Sequence, residues 1–320
     1  MTWLRTKQSG SFSGLMEIYL PIAEMSVHWL LLFAIGGAVG FLSGMFGVGG
    51  GFLLTPLLMF YGIPSGVAVA TTASHVTASS MSGAITQWRN RAVDLKLGAI
   101  MTASGIVGTG AGVWLFGVLR AAGQMELIVS ASYVILLGTI GTLMLRESLE
   151  ALAAQRRGEP TPSARAQHHN WIHGLPFKVR FRDSRLYISV IPPVLIGFSI
   201  GVLSAIMGIG GGFLLVPALI YLVRVPANIV MGTSLLQIVF VTAASTILHS
   251  VSDFTVDIVL AGILISGGVI GAQFGLRAAS RMRGEQLRFW LAVLVLAVGA
   301  RLLYGLLVSP GDPFSVVDAS

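Results

Sequence analysis

A charge-free run of sixty residues constrains the fold of this chain more than any other feature. From Trp29 to Trp88 the sequence contains no Asp, Glu, Lys or Arg. A helix needs about 20 apolar residues to cross the hydrocarbon core of a bilayer, so this run is long enough for more than one crossing. Further charge-free runs cover residues 97–119, 127–145, 186–223, 225–252 and 258–276. We therefore predict an all-α polytopic membrane protein.

Composition supports this class and excludes others. Charged residues make up 10% of the chain, whereas soluble domains carry about 25%. The absence of cysteine excludes disulfides and thiolate chemistry. The net charge of +7 comes from basic residues beside apolar spans, which indicates membrane orientation rather than nucleic-acid binding. The first 28 residues lack the signal-peptide pattern, because Glu17, Pro21 and Glu24 interrupt their apolar part.

The chain contains an internal duplication. The string "GFLSGMFGVGGGFLLTP" at 40–56 matches "GVLSAIMGIGGGFLLVP" at 201–217 in 11 of 17 positions. The register continues with small slips, so that "IPSGVAVATTAS" aligns with "VPANIVMGTSLL" and "IVGTGAG" with "VIGAQFG". A repeat of about 160 residues therefore covers most of the chain.

Each unit is predicted to contain a glycine-broken helix pair followed by three full transmembrane helices. The two pieces of the broken pair either form a re-entrant hairpin or both cross, and each alternative gives an even number of crossings. Three further helices make the unit odd, so the second copy is inverted in the membrane. The predicted apolar segments are 29–46, 52–61, 66–88, 97–119 and 126–146, then 187–207, 213–223, 228–250, 256–276 and 286–308.

The distribution of arginine and lysine independently predicts the inversion. The loop "RNRAVDLK" at 89–96 has three cations, and its counterpart "SVSDFTVD" at 250–257 has none. The next loop reverses this pattern, with four arginines in 277–288 and one in 120–126. The linker at 147–186 is also rich in basic residues, so the positive-inside rule makes the linker and both cation-rich loops cytoplasmic.

These patterns divide the chain into five predicted regions. Interrupted helices at matching positions of inverted repeats are typical of alternating-access transporters. The regions are an N-terminal extension (1–28), a first transmembrane repeat (29–146), a cytoplasmic polar linker (147–186), a second transmembrane repeat (187–308) and a C-terminal tail (309–320).

The duplicated glycine run is the first candidate for a substrate site. Glycine costs about 1 kcal/mol in a helix relative to alanine, and free backbone groups in a bilayer must line protein or a water-filled cavity. The two breaks are expected to meet near the midplane, where backbone N–H groups and helix N-termini would bind an anion. The alternative is close helix packing. The predicted residues are Gly47, Gly49, Gly50, Gly51 and Phe52, with Gly208, Gly210, Gly211, Gly212 and Phe213 in the second unit.

Polar residues in the third segment of each unit are the second candidate. They are Thr71, Thr72, Ser74 and His75 in the first unit and Thr233, Ser234 and Gln237 in the second. Hydroxyls and an amide are neutral donors suited to an oxyanion, and His75 could couple a proton to transport because imidazole changes charge near neutral pH. The alternatives are a structural hydrogen bond for His75 and bonds to the i−4 carbonyl for the hydroxyls.

Other ionisable residues carry weaker signals. Asp94 and Asp257 occupy equivalent positions just before a helix, where a carboxylate is expected to cap the helix. His249 lies near a predicted helix end and is expected at the membrane interface. No metal site or cofactor is predicted, since the histidines of the linker have no cysteine or regular acidic partners.

Together these motifs resemble the TauE/SafE family of sulfite exporters, also known as the 4-toluene sulfonate uptake permease family. The resemblance rests on "GFLSGMFGVGGGFLLTPLL", its second copy, "AVATTAS…SGAITQW" and the "VD" that opens the next helix. It covers about residues 24–308. The resemblance implies transport of sulfite, sulfoacetate, aryl sulfonates or related sulfur-containing anions across the bacterial inner membrane.

The leading hypothesis is therefore a secondary transporter for a small sulfur-containing anion, sulfite or an organosulfonate such as sulfoacetate, with export as the expected direction. The alternatives are a passive anion channel for the same substrates and an uptake permease for sulfonates. An enzyme is disfavoured, because the sequence has no nucleotide-binding motif or metal-ligand cluster. The expected partners are the anion and the lipid bilayer, without nucleic acid, and a homodimer is left open.

Overall fold

The structure is a computed structural model of the 320-residue chain. It describes residues 17–46, 49–156, 176–181, 184, 186–223, 225–279 and 284–308. Gly47, most of the predicted linker and the whole predicted tail at 309–320 lie outside the described residues.

Helices account for nearly all of the regular structure in the described residues, as predicted from the charge-free runs. They are α1 (Trp29–Phe46), α2 (Gly51–Phe60), α3 (Ser65–Arg89), α4 (Leu95–Ala121), α5 (Met125–Arg156), α6 (Ile191–Met207), α7 (Gly212–Pro217, continued as a π-helix over Ala218–Val223), α8 (Ala227–Ser252), α9 (Ile258–Ala279) and α10 (Gly284–Leu307).

Six of these helices are long and apolar enough to cross a membrane: α1, α4, α5, α8, α9 and α10. Two others, α2 and α6, are apolar but shorter, with 10 and 17 residues. Helix α3 has 25 residues and a more polar sequence that is rich in threonine and serine. The chain is therefore a multi-pass membrane protein.

Two short β-hairpins precede α1 and α6 and are absent from the sequence-based prediction. Strand β1 (Glu17–Leu20) pairs antiparallel with β2 (Met25–His28), and β3 (Lys178–Phe181) pairs antiparallel with β4 (Leu186–Ser189). Strands of four residues give too little period-two alternation to be recognised in a sequence. Part of the predicted N-terminal extension therefore has regular structure.

The described chain divides into two compact units. The larger one contains both hairpins, α1 to α3, α4 as far as Gly117, and α6 to α9. The smaller one contains the end of α4 with α5 and α10. Within it, α5 and α10 pack antiparallel, since a Cβ added at Gly141 would lie 2.8 Å from Leu296 and one at Gly299 would lie 3.3 Å from Leu137.

Glycines bring two helix pairs of the larger unit into backbone contact. The backbone of α1 meets that of α9 at Gly40 and Gly268, and again one turn later at Gly44 and Ala272. Helix α6 meets α4 in the same way along the stripe that includes Gly108. Contacts that advance together along both helices mean that each pair is parallel. Small residues at such contacts allow membrane helices to approach closely.

Helices α3 and α8 pack antiparallel through threonine and serine. The hydroxyl oxygens of Thr77 and Thr242 lie 2.7 Å apart, and Ser74 donates to Thr246 at 3.4 Å. Moving towards the start of α3 thus moves towards the end of α8. The C-terminal ends of α3 and α8 consequently lie at opposite ends of this pair.

Candidate functional site

The two glycine breaks lie against each other in the larger unit. A Cβ added at Gly51 would stand 2.6 Å from the carbonyl oxygen of Ile209, so no side chain fits between the two segments. The rings of Phe52 and Phe213, the residues that follow the glycines, stack at 4.5 Å with an interplanar angle of 12°. Both rings are buried. The sequence repeat thus corresponds to a physical junction.

Backbone conformation explains the glycines of the second break. Gly208 ends α6 at φ +70° and donates its N–H to the carbonyl oxygen of Ser204 at 2.8 Å. Gly211, just before α7, has φ +79°. An L-residue in this left-handed region costs about 1–2 kcal/mol. The break therefore turns the chain between two helices in a way that glycine favours.

The space beside several predicted glycines is filled by protein. A Cβ at Gly50 would lie 2.9 Å from Val39, and the Gly50 N–H donates to Ser43 Oγ at 2.9 Å. Side chains of Ile200 and Val76 occupy the positions next to Gly211 and Gly210, and Gly212 is buried at the start of α7. In this conformation these glycines serve close packing. Gly49 differs, because it faces a cavity.

The cavity lies in the larger unit, between the end of α1, the second half of α3, the start of α8 and the end of α9. Its volume is about 300 Å³. The polar side chains are Ser43, Ser79, Ser80, Thr86, Gln87 and Gln273. The remaining lining residues are Gly44, Gly49, Gly83, Met45, Phe46, Met231, Leu235, Val269 and Ala272. None of the described lining residues is charged.

The polar groups of the cavity are neutral hydrogen-bonding groups on apolar walls. Ser80 is only 3% exposed, and its Oγ makes no hydrogen bond within the described part of the chain. Ser43 accepts from the backbone of Gly50, which leaves its own hydroxyl hydrogen able to donate elsewhere. The amides of Gln87 and Gln273 add donors and acceptors. This lining offers hydrogen-bond donors to an oxyanion and apolar contacts to a carbon group.

Four of the predicted polar residues on α3 and α8 have structural partners instead. Thr71 Oγ1 accepts from the Asp257 N–H at 3.3 Å, and Thr233 Oγ1 accepts from the Asp94 N–H at 3.1 Å. Ser234 donates to the carbonyl oxygen four residues earlier, and Ser74 donates across to α8. None of the four lines the cavity.

The other three predicted polar residues, Thr72, His75 and Gln237, are buried without hydrogen bonds in the described structure. The His75 ring packs directly against the backbone of Gly268, and the Gln237 amide lies 3.2 Å from a Cβ added at Gly105. His75 and Gln237 therefore each face a glycine on a helix of the other predicted repeat. Buried polar groups without partners are rare and point to a function or to an unobserved partner.

The two aspartates cap helices, as predicted. Asp94 Oδ1 accepts from Leu97 N–H at 3.0 Å at the start of α4, and Asp257 Oδ1 accepts from Leu260 N–H at 3.0 Å at the start of α9. The second oxygen of Asp94 accepts from the Ser184 hydroxyl, between β3 and β4, at 2.6 Å. That of Asp257 accepts from Ile22 N–H, between β1 and β2, at 3.1 Å. Each carboxylate thus also holds a hairpin.

His249 is buried within the protein, and its expected position at the membrane interface stays a prediction. It is 0% exposed in the last turn of α8. Its Nδ1 lies 3.0 Å from Asp253 Oδ2, and its Nε2 lies 2.9 Å from the backbone oxygen of Ala205 in α6. The ring of Phe116 meets the imidazole edge-on at 4.5 Å. Contacts from α4 and α6 bury this helix end, and its own sequence does not reveal them.

The sequence interpretation missed most of the cavity, including Ser43, Ser80, Gln87 and Gln273. One signal was present, because Ser43 falls inside the duplicated motif and matches Ser204. Gln87 and Gln273 lie near helix ends, where a polar residue is unremarkable in a sequence. No group of three or more possible metal ligands occurs within the described ranges.

Comparison with known proteins places this geometry in context. The family model described as "Sulfite exporter TauE/SafE" matches residues 32–302. The "Probable membrane transporter protein YjnA" of Bacillus subtilis (strain 168) is 29% identical over 285 residues, covering 87% of this chain and 100% of the relative. A "Probable membrane transporter protein" of Xylella fastidiosa (strain Temecula1) is 28% identical over 280 residues, covering 84% and 92%. No solved structure matches the chain.

Proposed function

Because this chain belongs to the TauE/SafE sulfite exporter family of membrane transporters, we propose that it is a secondary transporter for a small sulfur-containing anion. It works by alternating access in the bacterial inner membrane, and its physiological direction is export. The observation that carries this proposal is the cavity of about 300 Å³, which is lined by both neutral polar groups and apolar side chains.

The chemistry of the cavity favours the organosulfonate part of the substrate range. A sulfonate oxygen can accept from Ser43, Ser80 and the two glutamine amides without a buried cation. Walls such as Met231 and Leu235 would contact an alkyl or aryl group. Sulfite could accept hydrogen bonds from the polar side chains, but it has no alkyl or aryl group to contact the apolar walls.

Positive charge at one end of the cavity supports an anionic substrate. Gln87 is followed by Arg89 in the last turn of α3, and Arg277 lies one turn after Gln273 on the same face of α9. Arginines at a pore mouth raise the local concentration of anions. Under the positive-inside rule this end is cytoplasmic, so substrate would load from the cytoplasm, as export requires.

Alternating access requires the inverted repeats proposed from the sequence. Two pairs of matching contacts support them: the parallel glycine stripes of α1 with α9 and of α6 with α4, and the two caps at Asp94 and Asp257. The contact of α1 with α9 recurs between their counterparts α6 and α4, and the contact of Asp94 with a hairpin recurs at Asp257. Such cross-contacts are what a pseudo-two-fold axis in the membrane plane would produce.

Transport in proteoliposomes tests the proposal. Purified protein should accumulate a labelled sulfonate such as sulfoacetate, taurine or toluene sulfonate against its concentration gradient when a proton gradient is imposed. Sulfite and chloride serve as the small-anion comparisons. Movement that only dissipates a gradient would support the passive channel instead, and movement of none of the sulfur anions would overturn the proposed substrate class.

Reporter fusions test the orientation. A fusion in the 147–186 linker should report cytoplasm, and a fusion at the C-terminus should report the outside. Fusions that locate the linker outside, or on the opposite side from the 277–288 loop, would overturn the inverted arrangement.

A further inference from the structure

At the end of the α3–α8 pair opposite to the cavity, the His249 side chain bridges α8 to α6. In the register that aligns His75 with Gln237, His249 aligns with Gln87, which lines the cavity. In the register of the glycine motifs, Ala205 aligns with Gly44, another lining residue. The bridge from His249 Nε2 to the Ala205 oxygen at 2.9 Å therefore occupies the position that is open in the other repeat.

Both ring nitrogens of His249 face oxygen atoms that can only accept. Asp253 presents a carboxylate oxygen at 3.0 Å, and Ala205 presents a carbonyl oxygen at 2.9 Å. A neutral imidazole has one N–H and would set a lone pair against one of these oxygens, whereas the imidazolium donates to both. Both contacts are hydrogen bonds donated by the ring only when both ring nitrogens carry a proton.

Two helix C-termini meet at this ring. The Ala205 carbonyl is among the last four carbonyls of α6. Such carbonyls have no N–H partner within the helix and lie at the negative end of its dipole. His249 itself lies in the last turn of α8, so a second helix C-terminus contributes in the same sense.

Few other titratable groups lie on the helices that pack around this ring. Helix α6 has none in its sequence, and α8 has only His249 before its cap at Asp253. Helix α4 carries Lys96 at its far end and Arg120 one turn beyond Phe116, on the same face. Helix α3, which packs along α8, carries His75 and Arg89. Asp253 contacts the ring directly.

We propose that His249 is a proton-linked latch that holds this end of the transporter closed. The imidazolium ties α8 to the end of α6 at the second glycine break. Loss of the proton removes one of the two hydrogen bonds, which releases α6 and lets this end open. The inference rests on the alternating-access function proposed above, and it names the proton as the coupled ion.

Thiol accessibility tests the latch without any substrate, because the chain has no cysteine of its own. Ser245 lies one turn before His249 on the same face of α8 and is 0% exposed. The variant Ser245→Cys, purified at full length, is treated with a charged thiol reagent between about pH 5.5 and 8. The same cysteine is then measured with His249→Gln, which copies Gln87 and keeps a neutral donor.

Ionisation of the thiol changes both labelling rates equally, so its effect cancels in the ratio of the two rates at each pH. At low pH we expect the cysteine to be labelled more slowly in the protein that keeps His249 than in the His249→Gln variant. The ratio of the two labelling rates should change about tenfold across the pH range, since a charge-assisted hydrogen bond is worth at least that factor. A ratio that does not change with pH would overturn the latch, as would a cysteine that stays unreactive throughout in both backgrounds.

A second variant keeps the test decisive if His249→Gln does not fold. Asp253→Asn preserves shape and removes the carboxylate that favours the imidazolium, so the pH at which labelling begins should fall. An unchanged onset would overturn the proposal. The two proposals can fail separately. If labelling depends on pH but the protein transports no sulfonate, the latch is supported and the proposed substrate class is wrong.

Discussion

The two ends of the α3–α8 pair are built from equivalent residues but differ in state. Where α3 ends, Gln87 and Gly44 line a cavity of about 300 Å³. Where α8 ends, the equivalent His249 and Ala205 are in direct contact, and the histidine is fully buried. One end of the pair thus carries a cavity, and the other carries a direct contact between a side chain and a neighbouring helix. A transporter that exchanged the two states would present its site alternately to the two sides of the membrane.

The comparison indicates that the duplicated sequence produces matching helix contacts at the two ends, and that single residues make the two ends differ. The helix caps and the glycine stripes occur twice in matching form. The residues at the two ends do not match, because glutamine stands at one and histidine at the other. Only the histidine can change its charge near neutral pH, so a proton can act on one end without acting on its counterpart.

The largest expected effect separates the two glycine breaks. Gly211→Ala places a side chain at φ +79° and against Ile200, which should cost about 2–4 kcal/mol of stability. Gly50→Ala, at the equivalent position near the cavity, meets the Val39 side chain at 2.9 Å, Ser43 Cβ at 3.1 Å and the Val39 backbone oxygen at 3.3 Å, and it should cost about 1–2 kcal/mol. Thermal unfolding in detergent measures both.

Gly262→Ala is the control for these variants, since a Cβ added there meets nothing within 4 Å. It should unfold at the wild-type temperature. Equal losses of stability for Gly50→Ala and Gly211→Ala would contradict the distinction between the two breaks.

The next effect concerns substrate affinity. Ser80→Ala removes a buried hydroxyl that faces the cavity, and we expect apparent affinity for a sulfonate to fall about tenfold, because a hydrogen bond to a charged group is lost. Thr242→Val changes the equivalent residue of the second repeat, which bonds Thr77 and lies away from the cavity. It should leave the affinity within about twofold. Concentration-dependent uptake into proteoliposomes distinguishes the two, and equal effects would argue that Ser80 acts through packing.

His75→Gln gives a smaller and more specific effect. The substitution copies Gln237, its equivalent on α8, and keeps a donor without a titration. If His75 couples a proton to transport, the variant should bind substrate normally but lose the pH dependence of transport between about pH 5.5 and 8. Measured transport rates at several pH values check this. An unchanged pH profile would make His75 a structural residue and leave His249 as the candidate for coupling.

The smallest effect is expected where the two repeats agree. Asp94→Asn and Asp257→Asn both keep a capping side chain, because asparagine caps helices about as well as aspartate. Each variant loses the hairpin contact of its second oxygen, because an amide NH2 cannot accept a hydrogen bond, and the two losses of stability should differ by less than about 1 kcal/mol. Thermal unfolding of both proteins provides the measurement. A much larger loss for one of them would show that its hairpin contact differs from the other in strength.

The framework was accessible from the sequence because it depends on local patterns. The charge-free runs predicted the long helices, and the "VD" pairs predicted the caps that Asp94 and Asp257 make. The cavity was not accessible in the same way. Ser80 and Gln273 belong to different repeats and meet only after α3 and α9 have packed, and no spacing within either helix encodes that meeting.

The sequence alone determined that this chain lies in a membrane, that it contains a duplication, and that each copy is broken at a glycine run. Hydrophobic length, repetition and helix propensity are all properties of neighbouring residues. Only the tertiary structure decided which polar residues face a cavity and which bond to their own helix. It also decided that one of two equivalent helix ends is closed, because burial and hydrogen bonding at His249 depend on α4 and α6, which lie far away along the chain.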